Sequence, residues 1–425
     1  IRDAFRSKSE IAYQGAVQRL DNKRTHLKQN PKPADNAAVP EFKRMPPAVW
    51  IGPSALTNPC PVTDMEQLSN RLSKVFSDYP ELFNHCVKVY QKRVDYYRLT
   101  SEGQKILQPD TAFHITARAS IKTDGNEVKT EYYRLHVGGI NDLPSEDALI
   151  GELHQFAQYM RQKSRAKAVE DLYIGPVLYE DDAAMELLAR KIADHSHSYW
   201  ISIRNQSDRK HRYLGKQVFP PALSVCQLGS DSVYNGVKLL GYRQVDADGT
   251  KPMTLPIIEK GILKHMLTGR TPSLGCPAST GNEHFDGLSR SLETRYIAGV
   301  FHVTSNRPVP YSKLYKRFLK AAKKAGLEHT YIIRKNRTSP YALIRVDLST
   351  GKEELVEGNY NAPSREQFKR MHAISKEENV YNLDPAGGKG LGIISPKAIL
   401  LEDMELDITP SRARHIDEAF YELRH

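Results

Sequence analysis

The stretch "VLYEDDAAMELLARKIADHSHSYW", residues 177–200, decides how the chain is read. With the residues just before it, it opens as a short apolar strand, "YIGPVLY". Asp181 or Asp182 then offers an acceptor at a helix start. Ala183, Ala184, Leu187, Leu188 and Ile192 recur at the spacing of a buried helical stripe. At the far end stand His195 and His197, the two candidates for metal ligation. Residues two apart on a helix point about 200° away from each other, so the pair converges only if the helix gives way to extended chain after Asp194. No neighbouring glutamate or cysteine suggests a third ligand. Imidazoles at a helix C-terminus are favoured by the macrodipole, which is the structural reading of both.

Outward toward the N-terminus, the pattern is of helices packed on an antiparallel sheet. Residues 4–30 lack proline, and Ile11, Ala12, Ala16, Leu20 and Leu27 fall at nearly helical spacing, so a long helix with a charged outer face is expected. Residues 31–50 hold five prolines and read as an extended linker. "DMEQLSNRLSKVF", 64–76, is helical again, with Thr63 or Asp64 available as cap. From His85 the apolar period changes to two, and Gly103 and Asp124-Gly125 mark the turns of a meander. A helix comes after Pro144, with Ser145 and Glu146 at its start.

Toward the C-terminus, residues 222–230, 237–250 and 253–267 read as strand-rich, with turn signals at Asp248-Gly249 and Lys260-Gly261. "YSKLYKRFLKAAKKAG", 311–326, is a helix, and strands are expected within 330–335, 341–348 and 353–360. The expected fold class is α+β. Residues 1–50 are a helix and proline-rich linker, 51–168 an N-terminal α/β domain with an antiparallel sheet, 169–407 a β-rich C-terminal domain, and 408–425 a charged tail.

Length and composition agree with two domains in 425 residues. No apolar run approaches the roughly twenty residues needed to span a bilayer. The four cysteines, Cys60, Cys86, Cys226 and Cys276, form no C-x-x-C pair, which argues against a zinc knuckle or a disulfide framework. The formal charge of +11 raises the question of nucleic acid, but lysine and arginine are spread along the chain among acids. Nucleic acid is therefore not an expected partner. The chain begins at Ile1, so no leader is read and the compartment is open.

Other motifs carry less chemistry. "GGKGLG", 387–392, lacks phosphate-loop spacing and precedes an apolar strand instead of a helix. The helix at 311–325 sets six basic residues around Leu314, Phe318, Leu319 and Ala322, which reads as a solvated face. "STGN", 279–282, is a polar turn able to line a cleft, and no serine has a histidine and acid in a recognisable nucleophile motif.

Residues 241–282 resemble the central block of the TldD/PmbA family of metallopeptidases and peptidase-like proteins. The family's aspartate-glycine turn, I-E-x-G-x-L run and T-G-N turn are matched by Asp248-Gly249, by Ile258-Glu259-Lys260-Gly261-Ile262-Leu263, and by Thr280-Gly281-Asn282. Residues 99–106, 173–189 and 395–406 agree as well. The resemblance implies an α/β N-terminal domain, a β-rich C-terminal domain, and assembly as a homodimer or as a heterodimer with a TldD-like subunit. Active subunits of the family carry H-E-x-x-x-H directly after an A-A-x-x-L-L run, and a later cysteine completes the zinc site. Here Ala183–Leu188 is that run, and the next seven residues are Ala189, Arg190, Lys191, Ile192, Ala193, Asp194 and His195.

Read without a shift, Ala189 replaces the first histidine, Arg190 the glutamate and Asp194 the second histidine; shifted by one, only His195 survives and Lys191 takes the glutamate's place. No cysteine occurs after the 311–325 helix. Two cations roughly 4 to 6 Å from Zn²⁺ oppose its binding by several kcal/mol even at an effective dielectric of about 20. The resemblance therefore implies a divergent, long-branch member without catalytic residues or a bound cofactor, acting on peptide or unfolded polypeptide as a PmbA-like subunit or a peptide-binding pseudopeptidase. It also implies an exported or periplasmic location over a cytoplasmic one. Two alternatives stay open: an active metallopeptidase with an atypical zinc site at His195 and His197, and a nucleic-acid-associated protein.

Overall fold

Without proline and rich in long charged side chains, residues Arg2–Gln29 form helix α1. None of its residues is buried, and Ile11 and Leu20 stand 58% and 48% exposed. The inner face expected from their spacing is therefore not covered: Ala12 and Ala16 interrupt the stripe, and little apolar area is left to drive a contact. The computed structural model describes residues 2–29, 45–196, 213–229, 231–270, 276, 278–283, 299–339, 341–383 and 390–408. Most of the proline-rich linker thus lies outside the described residues, as does the tail beyond residue 408.

The linker ends in strand β1 (Val49–Ile51). Helix α2 (Val62–Ser73) takes Pro61 at its N-cap without a side-chain hydrogen bond, so Thr63 and Asp64, expected as caps, lie inside the helix. The meander comes next as β2 (Phe83–Leu99), β3 (Lys105–Lys122) and β4 (Val128–Val137), all antiparallel neighbours. Gly103 supplies the left-handed residue of the first turn at φ 90°, whereas in the second it is Asn126, at φ 63°, not Gly125. Alternation along β3 turns Phe113, Ile115, Ala117 and Ala119 toward α2 and α3 (Glu146–Ser164), which together enclose one core. Ser145 caps α3 as expected, accepting the N–H of Ala148.

From there the chain runs through β5 (Lys167–Ala168), β6 (Asp171–Asp181) and helix α4 (Asp182–Ser196). It continues through β7 (Leu223–Gln227), β8 (Val233–Tyr234), β9 (Val237–Lys238), β10 (Leu255–Glu259), β11 (Ile262–Leu263) and β12 (Gly299–Ser305). Helix α5 (Tyr311–Lys324), β13 (His329–Lys335), β14 (Thr338–Ser339), β15 (Ala342–Asp347) and β16 (Glu353–Glu357) come next. Helix α6 (Arg365–Lys369), β17 (Met371–Ile374), β18 (Glu378–Leu383), β19 (Leu391–Pro396) and β20 (Ala398–Ile408) close the described chain. The class is α+β, and the segment after α3 is dominated by strands.

Three large sheets result. The meander forms the first with β1 and β14; the second runs β11-β10-β7-β12-β19-β18; the third runs β17-β20-β6-β13-β15-β16-β5. Helix α4 shares one core with strands of the second and third sheets, including Val225, Phe301 and Ile393 from one and Val177, Tyr331 and Ile399 from the other. Helix α5 covers the opposite face of the third sheet with Leu314 and Phe318. One expectation fails here: of residues 237–250 only Val237 and Lys238 form a strand. The Asp246 side chain accepts the backbone N–H groups of Asp248 and Thr250 at 2.9 and 2.8 Å and so wraps the chain into a loop. No helix among the described residues is long and apolar enough to cross a membrane.

Candidate functional site

Helix α4 is apolar almost all round. Ala183, Ala184, Met185, Leu188, Ala189 and Ile192 are no more than 3% exposed, as befits a helix covered on several sides. The acids at its start are used sideways rather than as the expected caps. Asp181 adopts a left-handed φ of 53° and its Oδ1 accepts from Asn379 at 3.4 Å; the Asp182 carboxylate accepts the N–H of Arg337 at 2.7 Å. Burial pushes the Asp182 carboxyl up to about 6.

Three positions of the degenerate motif fall on described side chains. Ala189 points its methyl into the core, Arg190 is exposed, and the buried Lys191 ammonium donates to the carbonyl of Pro363 at 2.8 Å. A methyl, a guanidinium and an ammonium offer no lone pair to a metal. These residues do not fit the family's zinc. Helix α4 carries Asp194 and His195 as backbone, but their side chains, and all of His197, lie outside the described residues.

The open side of α4 is polar and aromatic. Glu186 forms an ion pair with Lys335, whose ammonium sits 5.7 Å from the ring of Tyr341; Tyr341 in turn lies 5.7 Å from Tyr360. The Tyr179 hydroxyl, 3% exposed, has no hydrogen-bond partner among the described residues, and burial raises its pKa. Arg337 pairs with Glu152, which also accepts from the Tyr133 hydroxyl at 2.5 Å, so the start of α4 is linked to the first sheet.

The motif residues of 241–282 gather elsewhere, with two exceptions. Asp248, 3% exposed, lies 3.2 Å from the Arg98 guanidinium and accepts the N–H of Arg270 at 3.2 Å. Arg270 itself reaches Glu102 at 2.8 Å, so the block clasps the β2–β3 turn. Gly249, at φ 76°, admits no side chain, since a Cβ there would fall 2.3 Å from that of Ala48. Thr280 donates to Asn282, Asn282 to Gln227, and Gln227 to the Met253 carbonyl, each at 2.8 Å. Gly281, also left-handed at φ 78°, lets Lys251 pass close by. Glu259 and Gly261, by contrast, form the separate β10–β11 turn, where Glu259 is exposed and 3.8 Å from Lys264.

Between these groups lies a cavity of about 50 Å³ whose lining includes Tyr96, Asp110, Gln227, Arg243, Asp246 and Asn282. Asp246 is its most perturbed acid: three backbone N–H groups, of Asp248, Thr250 and Glu283, donate to it, yet burial pushes its carboxyl up to about 7. Asp110 stands 3.1 Å from both Lys92 and Arg243. Of these, sequence reasoning missed Asp246, Gln227, Arg243 and Asp110. The D-x-D-G pattern at 246–249 was a local signal for Asp246. Asp110 and Arg243 are 133 residues apart and had none.

Comparisons with known proteins agree with this fold. Residues 174–302, from β6 through β12, match the PmbA/TldA metallopeptidase C-terminal domain. No curated protein matches the chain. Three solved structures share the fold. A candidate modulator of DNA gyrase from Thermotoga maritima is 16% identical with a TM-score of 0.57, over 86% of this chain and 78% of that one. A second candidate modulator of DNA gyrase, from Bacteroides thetaiotaomicron, is 14% identical with a TM-score of 0.58, over 83% and 72%. TldE from Thermococcus kodakarensis is 12% identical with a TM-score of 0.53, over 89% and 81%. The sequence match thus takes in α4 and the motif block: residues 174–302 are a PmbA/TldA-type metallopeptidase C-terminal domain, and the chain shares its fold along most of its length with these three structures.

Proposed function

We propose that this chain is a non-catalytic, PmbA-like subunit that holds extended polypeptide for a TldD-like partner. The observation that carries the reading is the state of α4. In the unshifted register a methyl packed into the core and an exposed guanidinium stand where an active subunit has its first imidazole and its carboxylate; in the shifted register the carboxylate's place goes to an ammonium committed to the Pro363 carbonyl. The likeness of fold to TldE supports the same assignment.

A place for the polypeptide is available nearby. Strand β18 ends the second sheet, paired with β19 alone; among the described residues its outer edge takes no backbone hydrogen bond, although β4 passes near it and Asn382 at its far end binds the Lys238 carbonyl and the Leu240 N–H. An extended peptide added there gains affinity from main-chain hydrogen bonds. Asn379 of this strand contacts Asp181, so a bound peptide runs past the start of α4.

The test combines metal analysis of the dialysed protein with a peptide assay, alone and with a TldD-like subunit. The expected result is well under one zinc per chain, no hydrolysis by the chain alone, and retention of unfolded peptide or of the partner subunit. One zinc per chain, with hydrolysis abolished by a chelator, overturns the reading and assigns the metal to His195 and His197. Failure to retain either peptide or partner overturns it as well.

A further inference from the structure

The first sheet has two faces of different character. Odd-numbered residues of β3 from Phe113 to Ala119 pack under α2 and α3, so the even-numbered ones, with their cross-strand neighbours, form the opposite face. The register there is explicit. Cys86 lies opposite Arg118 and Arg118 opposite Tyr132; one row further, Lys88 lies opposite Thr116 and Thr116 opposite Arg134. In the third row Tyr90, His114 and His136 are aligned in the same way. None of the three rows contains a carboxylate. The cations that the sequence scatters over residues 88–134 are thereby brought to neighbouring positions on one surface.

The two tyrosines of this face are presented, while His114 beneath Tyr90 is buried at 3% exposure. Tyr90 is 44% exposed and stacks on His114 with ring centres 4.6 Å apart; Tyr132 is 37% exposed, with the Arg134 guanidinium 5.2 Å from its ring centre. Arg118 is braced by Asn84 at 2.5 Å. Successive rows on a strand are roughly 7 Å apart, so rings alternate with cations across the face at close intervals. A face of this kind repels a second copy of itself, because like charges would meet across a two-fold axis. An acidic peptide would engage the cations but leave the rings without a role. In a nucleic-acid duplex the flat faces of the bases are already stacked, whereas unpaired bases present theirs to aromatic side chains.

We propose that this open sheet face binds single-stranded nucleic acid, with Tyr90 and Tyr132 as stacking platforms and Lys88, Arg118 and Arg134 on the phosphates. The site is independent of the peptide reading above and stands or falls without it.

The test is fluorescence anisotropy of the full chain with a labelled oligothymidylate, across a salt series. Tyr90→Ala and Tyr132→Ala are each expected to weaken binding roughly tenfold at constant salt. Lys88→Ala and Arg134→Ala are each expected to reduce the slope of log K against log salt by about 0.7. Lys316→Ala and Lys320→Ala, on the exposed basic face of α5, are expected to change neither. Absence of binding at low salt overturns the proposal. So does binding that is as tight to duplex and indifferent to the two tyrosines, which marks a general polyanion surface. Loss of binding through the α5 variants places the contact elsewhere. A dimer that Arg134→Glu dissociates makes the face an interface between copies, against the proposal.

Discussion

Asp182 shows how much of this protein's chemistry is set at single positions. Its carboxyl is held up to about 6 by burial, and its partner is the N–H of Arg337. The unfolded value is about 3.9, so the folded state binds the proton more tightly. Between those values the native protein carries more protons than the unfolded chain, and stability falls as pH rises. The contribution is complete below about pH 4 and lost by about pH 6, with a size of roughly 3 kcal/mol. Asp182→Asn keeps the acceptor for Arg337 and removes the titration. Urea unfolding of both proteins from pH 4 to 7 should show the difference between them swinging toward the variant by that amount. A difference independent of pH would refute the assignment. The sequence marked Asp182 as a residue at a helix start but not its partner, because Arg337 is 155 residues away.

Among the elements, α4 departs furthest from its sequence reading. The stripe Ala183, Ala184, Leu187, Leu188 and Ile192 is buried as its spacing predicts, but Met185 and Ala189, off that stripe, are buried too, at 1% and 0% exposure. A helix between two sheets has little solvent face left. This bears on the degenerate motif. Ala189→His, which restores the first ligand position of one register, must force an imidazole into a filled core and should cost about 1–3 kcal/mol. Denaturant midpoints would show the loss, and an unchanged midpoint would mean that the position has room for a ligand after all. The meander needed no such revision: its alternation and its Gly103 turn are set by local geometry alone.

Across the whole molecule, charge joins the meander to the third sheet. Lys163 of α3 lies 2.6 Å from Glu131 of β4 and 3.3 Å from Glu357 of β16, and it is 7% exposed. Burial holds the Glu131 carboxyl up to about 7 even beside this ammonium. Removing the cation with Lys163→Met leaves the buried Glu131 without its direct partner, with Lys129 still 3.3 Å from Glu357, and should cost about 3 kcal/mol at neutral pH. The penalty should shrink as pH falls and Glu131 takes up a proton. Unfolding measured at pH 7 and pH 5 decides it: an equal penalty at both would show that the cluster does not bind the sheets together.

By itself the sequence determined the identity and order of the main elements, the cap at Ser145, the left-handed turns at Gly103 and Gly261, and the family signature from Asp248 to Asn282. These depend on side-chain period and backbone preference, which act over a few residues. Only the tertiary structure decided that α1 is left without a covered face, that α4 is enclosed between two sheets, and that Asp248 meets Arg98. It likewise decided that Lys88, Arg118 and Arg134 share a face. Such pairings arise from strand register and sheet stacking. A shift of one residue in register turns every side chain to the other face, and that register is chosen by the packing of segments far apart in the chain.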